Sequence, residues 1–362
     1  MKKIVIFIVS IALFISCFAF STKSGGIVAG AGMGTNEKVE NVEELAELIE
    51  FLMQQNYDDE ASSNGGDMIS NNQGSSVEYL AKKSKNKYKS ATVTITTALR
   101  ASSSSSYPKY TGGFRSSKQE LDRELTLYFT DDGTFYKSKG YYSVSTENDD
   151  GKISTETFKF DVDILVMDDE TYINIREWVM SSDSYSMQIK YENINRWIEM
   201  PLYYVDGFID LDDANREVLG EMGQFLDYLI ESDEVDDSDK HISIDEYDFS
   251  KIYEDISGEE MDIKDYELDF TCDLSSPTTP YISIVSKTDK KDTHKVPDYY
   301  NGNAQEITVN TTNKVKNSQE LVISNIDNTV ISFDYGSVEI SVEDDDEFED
   351  LFIIEERSED DD

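Results

Sequence analysis

The sequence predicts an α+β protein: a curved antiparallel sheet, an open half-barrel, wrapped around one or two helices. Three observations predict it. Several segments alternate apolar and polar residues with a period of two, the pattern of a half-buried strand. Residues 212–231 carry a wide apolar stripe at helical spacing, formed by Val218, Leu219, Met222, Phe225, Leu226, Leu229 and Ile230. The strand-like segments lie in two groups on either side of that helix, and so large an apolar face needs a sheet or another helix to cover it.

The elements follow in chain order. Met1, Lys2 and Lys3 precede an apolar run from Ile4 to Leu13, and Ala19-Phe20-Ser21 supplies small residues for cleavage, so 1–21 reads as a secretory signal peptide. An uncleaved anchor helix is the alternative, because the run to Phe20 is near the minimum span of a bilayer. Cys17 is a candidate lipidation site, against which the bulky Phe14 and Phe18 argue. The expected location is extracytoplasmic, either secreted or attached to the outer side of the cell membrane. Removing the peptide leaves Cys272 alone, so no intramolecular disulfide can form and the fold must rely on burial.

Residues 22–78 read as a flexible segment holding a short helix, with Val42, Leu45, Ala46, Ile49, Leu52 and Met53 on one face, and a polar linker over 56–76. A β-rich domain is expected over 79–338. It starts with a strand at 91–99, interrupted by the low-complexity stretch 101–113. In 121–129, Leu125, Leu127 and Phe129 share a face. In 158–167, Phe158, Phe160, Val162, Ile164 and Val166 do so, with Lys159, Asp161 and Asp163 opposite. The segment 171–178 continues the pattern, and 265–274 alternates strictly, with Cys272 in its apolar row. Residues 281–285, 306–310, 320–324 and 329–333 are further candidate strands. The acidic tail, 339–362, is expected to be disordered.

Charge excludes one class of partner. With 75 Asp and Glu against 32 Lys and Arg, the net charge of −43 argues against nucleic acid, whose phosphates would be repelled. So many carboxylates also make any pair at catalytic spacing a chance event, and no general acid/base pair is nominated. The distribution is uneven. Residues 81–119 hold nine Lys or Arg and no acid, whereas 339–362 hold fourteen acids against Arg357 alone. That asymmetry implies a solvated block and tail, an intrachain attraction, or two contact surfaces.

No motif for nucleophilic, metal or phosphate chemistry occurs, and no cofactor is expected. His241 and His294 sit in polar stretches without ligand spacing. Residues 235–246 approach a calcium loop, with Asp237, Asp239 and Glu246 at ligand positions. Val235 stands where the first acid is needed and Lys240 where the turn needs glycine, so the segment reads as an acidic connector. The buried phase of Cys272 marks an inert thiol. Trp178 and Trp197 could line a cavity or belong to the core.

Four stretches resemble the lipoprotein-carrier superfamily of open barrels (LolA/LppX/LprG-like). They are the hairpin 125–144, the run 164–178, the pair 266–287 with 321–333, and in particular the turn Ser324-Asn325-Ile326-Asp327-Asn328-Thr329. The likeness is architectural and covers 79–338. It implies a sheet folded around helices to leave an apolar cavity. Together with the patterning it implies an exported, non-enzymatic binding protein with a pocket for a lipid-like ligand, lined by Trp178, Trp197, Met222, Phe225 and Leu229. The alternative is a cell-envelope adhesion or interaction protein that acts through its surface, without a pocket.

Overall fold

The computed structural model describes residues 37–54, 88–106, 114–130, 133–147, 151–167, 170–183, 187–191, 195–201, 211–231, 239–257, 263–298, 305–342, 347 and 351–356. Thirteen strands form one sheet. In chain order the elements are α1 (Val42–Gln54), β1 (Ala91–Ser106), β2 (Phe114–Thr130), β3 (Gly133–Glu147), β4 (Ile153–Met167), β5 (Glu170–Ser182), β6 (Met187–Tyr191) and β7 (Trp197–Glu199). There follow α2 (Leu211–Glu231), β8 (His241–Asp245), α3 (Glu246–Ser257), β9 (Tyr266–Asp273), β10 (Tyr281–Asp298), β11 (Gln305–Ser324), β12 (Val338–Ser341) and β13 (Phe352–Glu356).

The strand order β12-β7-β5-β4-β3-β2-β1-β11-β10-β9-β8 does not close on itself. The sheet is open and antiparallel except for the short parallel pair β12–β7. Along β5, β7 pairs with 172–174 and β6 with 179–182, and β13 pairs with β6. The first and last groups of strands meet where β1 pairs with β11 over fifteen residue pairs, from Thr92↔Ser324 to Ser106↔Asn310. A bulge opposite Asp161 and Val162 inserts Arg176 into β5, and bulges bend the strand that carries them.

One face of the sheet, here the inner face, carries the main core. Ile95, Leu125, Leu127, Phe129, Val162, Ile164, Phe270, Ile282, Leu321 and Ile323 project there with α1 (Leu45, Leu48, Ile49, Leu52) and α2 (Leu219, Met222, Leu226), each at most 3 % exposed. The alternating pattern dictates this directly, since residues two apart on a strand share a face. A second, smaller cluster lies on the outer face. Leu165, Tyr172 and Ile331 are buried there, against Tyr128, Phe135, Trp197, Phe333 and Tyr335.

Several expectations are corrected. Residues 101–106 are no interruption, because β1 runs through them to Ser106. The segments 306–310 and 320–324 are two ends of one strand, β11. The segment 329–333 is extended but unpaired, and it covers the outer face with Ile331 and Phe333. α1 belongs to the core of the domain and not to a separate flexible segment. The acidic 339–362 contains β12, β13 and the buried Val342 and Leu351, because its apolar residues complete the β5–β6 side of the sheet. The segment 241–246 contains β8 and the start of α3. The signal peptide, Cys17 and the linker 56–76 lie outside the described residues.

The turn 324–329 ties the strand ends together. Asn325 and Asp327 adopt positive φ of 50° and 56°, a conformation these side chains tolerate. The Asp327 carboxylate accepts from the Lys89 N–H at 2.6 Å, and its own N–H donates to the Ser90 carbonyl at 2.7 Å. Thr329 N–H donates to Ser90 Oγ, and the Thr329 and Thr92 hydroxyls lie 3.0 Å apart. Ile326 is fully buried beneath, and its carbonyl accepts from Glu37 N–H.

Candidate functional site

The five candidate cavity residues do not share one surface. Trp178, Met222, Phe225 and Leu229 belong to the inner core, with Met222 at 0 % and Leu229 at 2 % exposure. Trp197 is paired opposite Asn174, on the same side of β5 as Tyr172. It therefore lies on the outer face, 4.8 Å from Phe333 and 6.5 Å from Phe135. Its position beside the one-faced run 171–175 does not reveal this, because the register of β7 sets the face.

Among the described residues α2 packs directly against the sheet. Phe225 stacks on Phe270 at 5.1 Å and on Phe249 of α3 at 4.6 Å. Trp178 meets Phe158 edge-on at 4.6 Å. Two concavities stand out among the described residues, and both are shallow and polar. One, of about 270 Å³, lies between β8 and α3 beside His241, Asp248 and Lys251. The other, of about 440 Å³, lies where β9 ends against β10, beside Lys264, Lys287, Asp289 and Lys291.

The residues weighed for chemistry are far apart. His241 stands at the edge of the sheet, 3.9 Å from the Asp273 carboxylate. Asp273 pairs with Tyr281, and His294 lies thirteen residues further along β10. At about 3.3 Å per residue this separates the two histidines by roughly 43 Å. In the calcium-like segment, 241–245 is a strand paired with β9, and Glu246 accepts from the Leu268 N–H. An extended, paired backbone cannot curl around an ion. Among the described residues no group of His, Cys, Asp and Glu could hold a metal. Cys272 is fully buried, and burial pushes its thiol up to about 12.

The charge cluster that sequence reading missed is at the β5 bulge. Arg176 donates to Asp163 at 2.6 and 2.9 Å and to Asp161 at 2.8 Å. These hydrogen bonds, those to Asp163 above all, hold its guanidinium above the usual range. The bulged residue bridges two carboxylates that the strict alternation of β4 brings to one side, and it binds the outer face together.

Beyond the described helices the sheet continues, and among the described residues no element covers it. In β1 after Ile95, β2 before Leu125, β4 before Phe160, β10 after Ile284 and β11 before Leu321, the described apolar side chains are half-buried or exposed except Val309. Neighbouring strands are joined there by polar pairs. Ser103 donates to Asn313 at 2.7 Å and Thr293 to Asn310 at 2.9 Å; Ser145 meets Thr155 at 3.0 Å and Thr157 meets Ser181 at 2.6 Å.

No protein-family model matches this chain, and no curated protein matches it.

Proposed function

We propose that the protein is an exported, non-enzymatic binding protein that acts through the uncovered surface of its long sheet. One observation carries this reading: the long strands extend past the described helices, and among the described residues that half of the sheet is built mostly from half-buried or exposed hydroxyl, amide and charged side chains instead of a core. A sheet serving only as a scaffold has no need of strands of 15 to 20 residues that outrun the helices they pack on. Exposed platforms of this kind suit contact with a large partner better than enclosure of a small one.

In this reading the sheet is a half-barrel curved around α1 and α2, with export placing it outside the cytoplasm. The shared inner core of helices and strands and the bulge in β5 support the curvature. The pocket form, with a lipid-like ligand, would need open space between α2 and the sheet, where Met222, Leu226, Leu229 and Phe270 are instead almost fully buried. The architectural likeness to the lipoprotein-carrier superfamily is accordingly a proposal about fold. Among the described residues no helix is long and apolar enough to cross a membrane.

Two measurements test the reading. Mass spectrometry of a solvent extract of the purified protein is expected to find no bound lipid, and stoichiometric lipid would restore the pocket. Purified protein added to cell envelopes of its source is expected to be retained, with retention falling at high salt. A protein that envelopes do not retain would end the surface reading.

A further inference from the structure

The uncovered half of the outer face carries a row of like charges. Lys287 on β10, Lys316 on β11 and Arg100 on β1 are directly paired across three adjacent strands. Like charges directly opposite one another weaken a sheet. Lys314 and Lys118 lie in the next outer row, two residues further along β11 and β2, and Lys291 in the row beyond. All six are exposed. They gather in a chain whose net charge is −43, so chance would favour acids at these places.

Three of the six have carboxylate partners at the margin. Arg100 takes Asp122 in a two-point contact at 2.6 and 2.8 Å, Lys287 takes Glu267 at 2.7 Å, and Lys314 takes Asp289 at 2.8 Å. Among the described residues Lys118, Lys291 and Lys316 make no ion pair. Two further acids stand within the patch, Glu120 opposite Arg100 and Glu147, which accepts from the Ser116 hydroxyl at 3.1 Å. Between the cations stand Ser102, Ser104 and Thr312, whose register places them on the same face, and Tyr141 borders the patch beside Asp122.

We infer that this face binds a carboxylated polysaccharide. The inference rests on the surface reading above and names its partner class. The free ammonium groups of Lys118, Lys291 and Lys316 would take carboxylates, as their neighbours already do, and the serine and threonine hydroxyls would meet sugar hydroxyls. The patch spans four strands at about 4.8 Å each and four residues along the strand at about 3.4 Å, roughly 14 by 14 Å, large enough for several sugar rings. At physiological ionic strength charge acts over about 8 Å, so an approaching anion senses the three unpaired ammonium groups more strongly than the distant acids of the chain.

The test uses the full chain on immobilised polygalacturonate, with the methyl-esterified polymer and the carboxylate-free dextran sulfate as comparators. Retention is expected on polygalacturonate at 0.15 M salt, with at least a tenfold weaker interaction on the ester. The variant Lys118→Glu/Lys291→Glu/Lys316→Glu is expected to lose at least tenfold in affinity. The control Lys38→Glu/Lys89→Glu/Lys251→Glu, equal in charge and also on exposed positions, is expected to keep it. Thermal unfolding at unchanged temperature would show that both variants fold. Equal binding by the two variants, binding to dextran sulfate alone, or no binding to polygalacturonate would overturn the proposal. Cell envelopes separate the two levels: if they retain the wild type and the patch variant equally, the surface reading survives and this patch is not the site. If they retain neither, the surface reading fails with it.

Discussion

The two halves of the sheet are built from the same strands by different means. In the covered half, inner-face residues such as Leu127, Phe129, Ile164 and Phe270 are at most 1 % exposed and meet α1 and α2. In the uncovered half β1 and β11, whose Ile95 and Leu321 are buried in the covered half, present Thr97, Ser103, Asn313 and Asn317 at the same inner phase. Burial holds the first. The second keeps its backbone ladders and adds only cross-strand side-chain pairs, each contributing about 0.2–1 kcal/mol. Register is fixed in the covered half, where a slip of one residue would expose a whole apolar row, and the long unbroken strands transmit it outward.

Thiol accessibility is expected to separate the halves most widely. In a Cys17→Ala background, Cys272 should stay unlabelled by a maleimide at pH 8, because it is buried and its thiol is pushed up to about 12, leaving it protonated. A thiol introduced by Ser104→Cys on the outer face should react faster by a factor on the order of a thousand, since its modification needs no opening of the core. Comparable rates at the two positions would mean that the covered half opens as readily as the bare one.

Core truncation is next in size. Phe270→Ala removes a fully buried ring stacked on Phe225, and a loss of about 3–5 kcal/mol is expected in urea unfolding. The same type of change at Leu121, half-buried in the uncovered half, should lose less than half as much.

The covered half was legible in the sequence, and the bare half was not. Period-two alternation needs a contrast between faces, and DYELDFTCDL (265–274) supplies it at every step, so β9 is predicted within one residue of its bounds. Serine on both faces of 102–106 gives no contrast, so the strand reads as a spacer although the chain stays paired. The outer cluster did leave a signal. Tyr128, Phe135, Leu165 and Tyr172 are apolar at the phase where the same strands elsewhere carry charge, and register brings them to one end of the sheet. The unpaired 329–333 mimics a strand because an extended segment lying on a sheet also buries alternate residues, here Ile331 and Phe333. Arg176 could not be placed, since a bulge is a property of two strands and not of one.

At the border between the halves, Gly140 is expected to matter more than a surface glycine. A Cβ there would lie 2.6 Å from the Phe160 ring and 2.9 Å from the Asp122 carbonyl. The ring therefore lies across the glycine, closing the edge of the core over a position without a side chain. Gly140→Ala should destabilise by about 1–3 kcal/mol, because the Asp122 backbone must move as well as the ring. Unchanged stability would show that the Phe160 ring turns away freely and that the core boundary is soft.

The smallest expected effect tests how the bare half holds together. Ser103 and Asn313 face each other on the inner side at 2.7 Å, near the far end of the β1–β11 pairing. A double-mutant cycle with Ser103→Ala and Asn313→Ala should give a coupling of about 0.2–1 kcal/mol, the range of a cross-strand polar pair in water. A larger coupling would mean that the pair is shielded and that the bare half is covered in solution by something bound to its inner side. A coupling of zero would place its stability in the backbone ladder alone. The two halves would then differ not in how strongly their side chains interact but in whether side chains contribute to holding them at all.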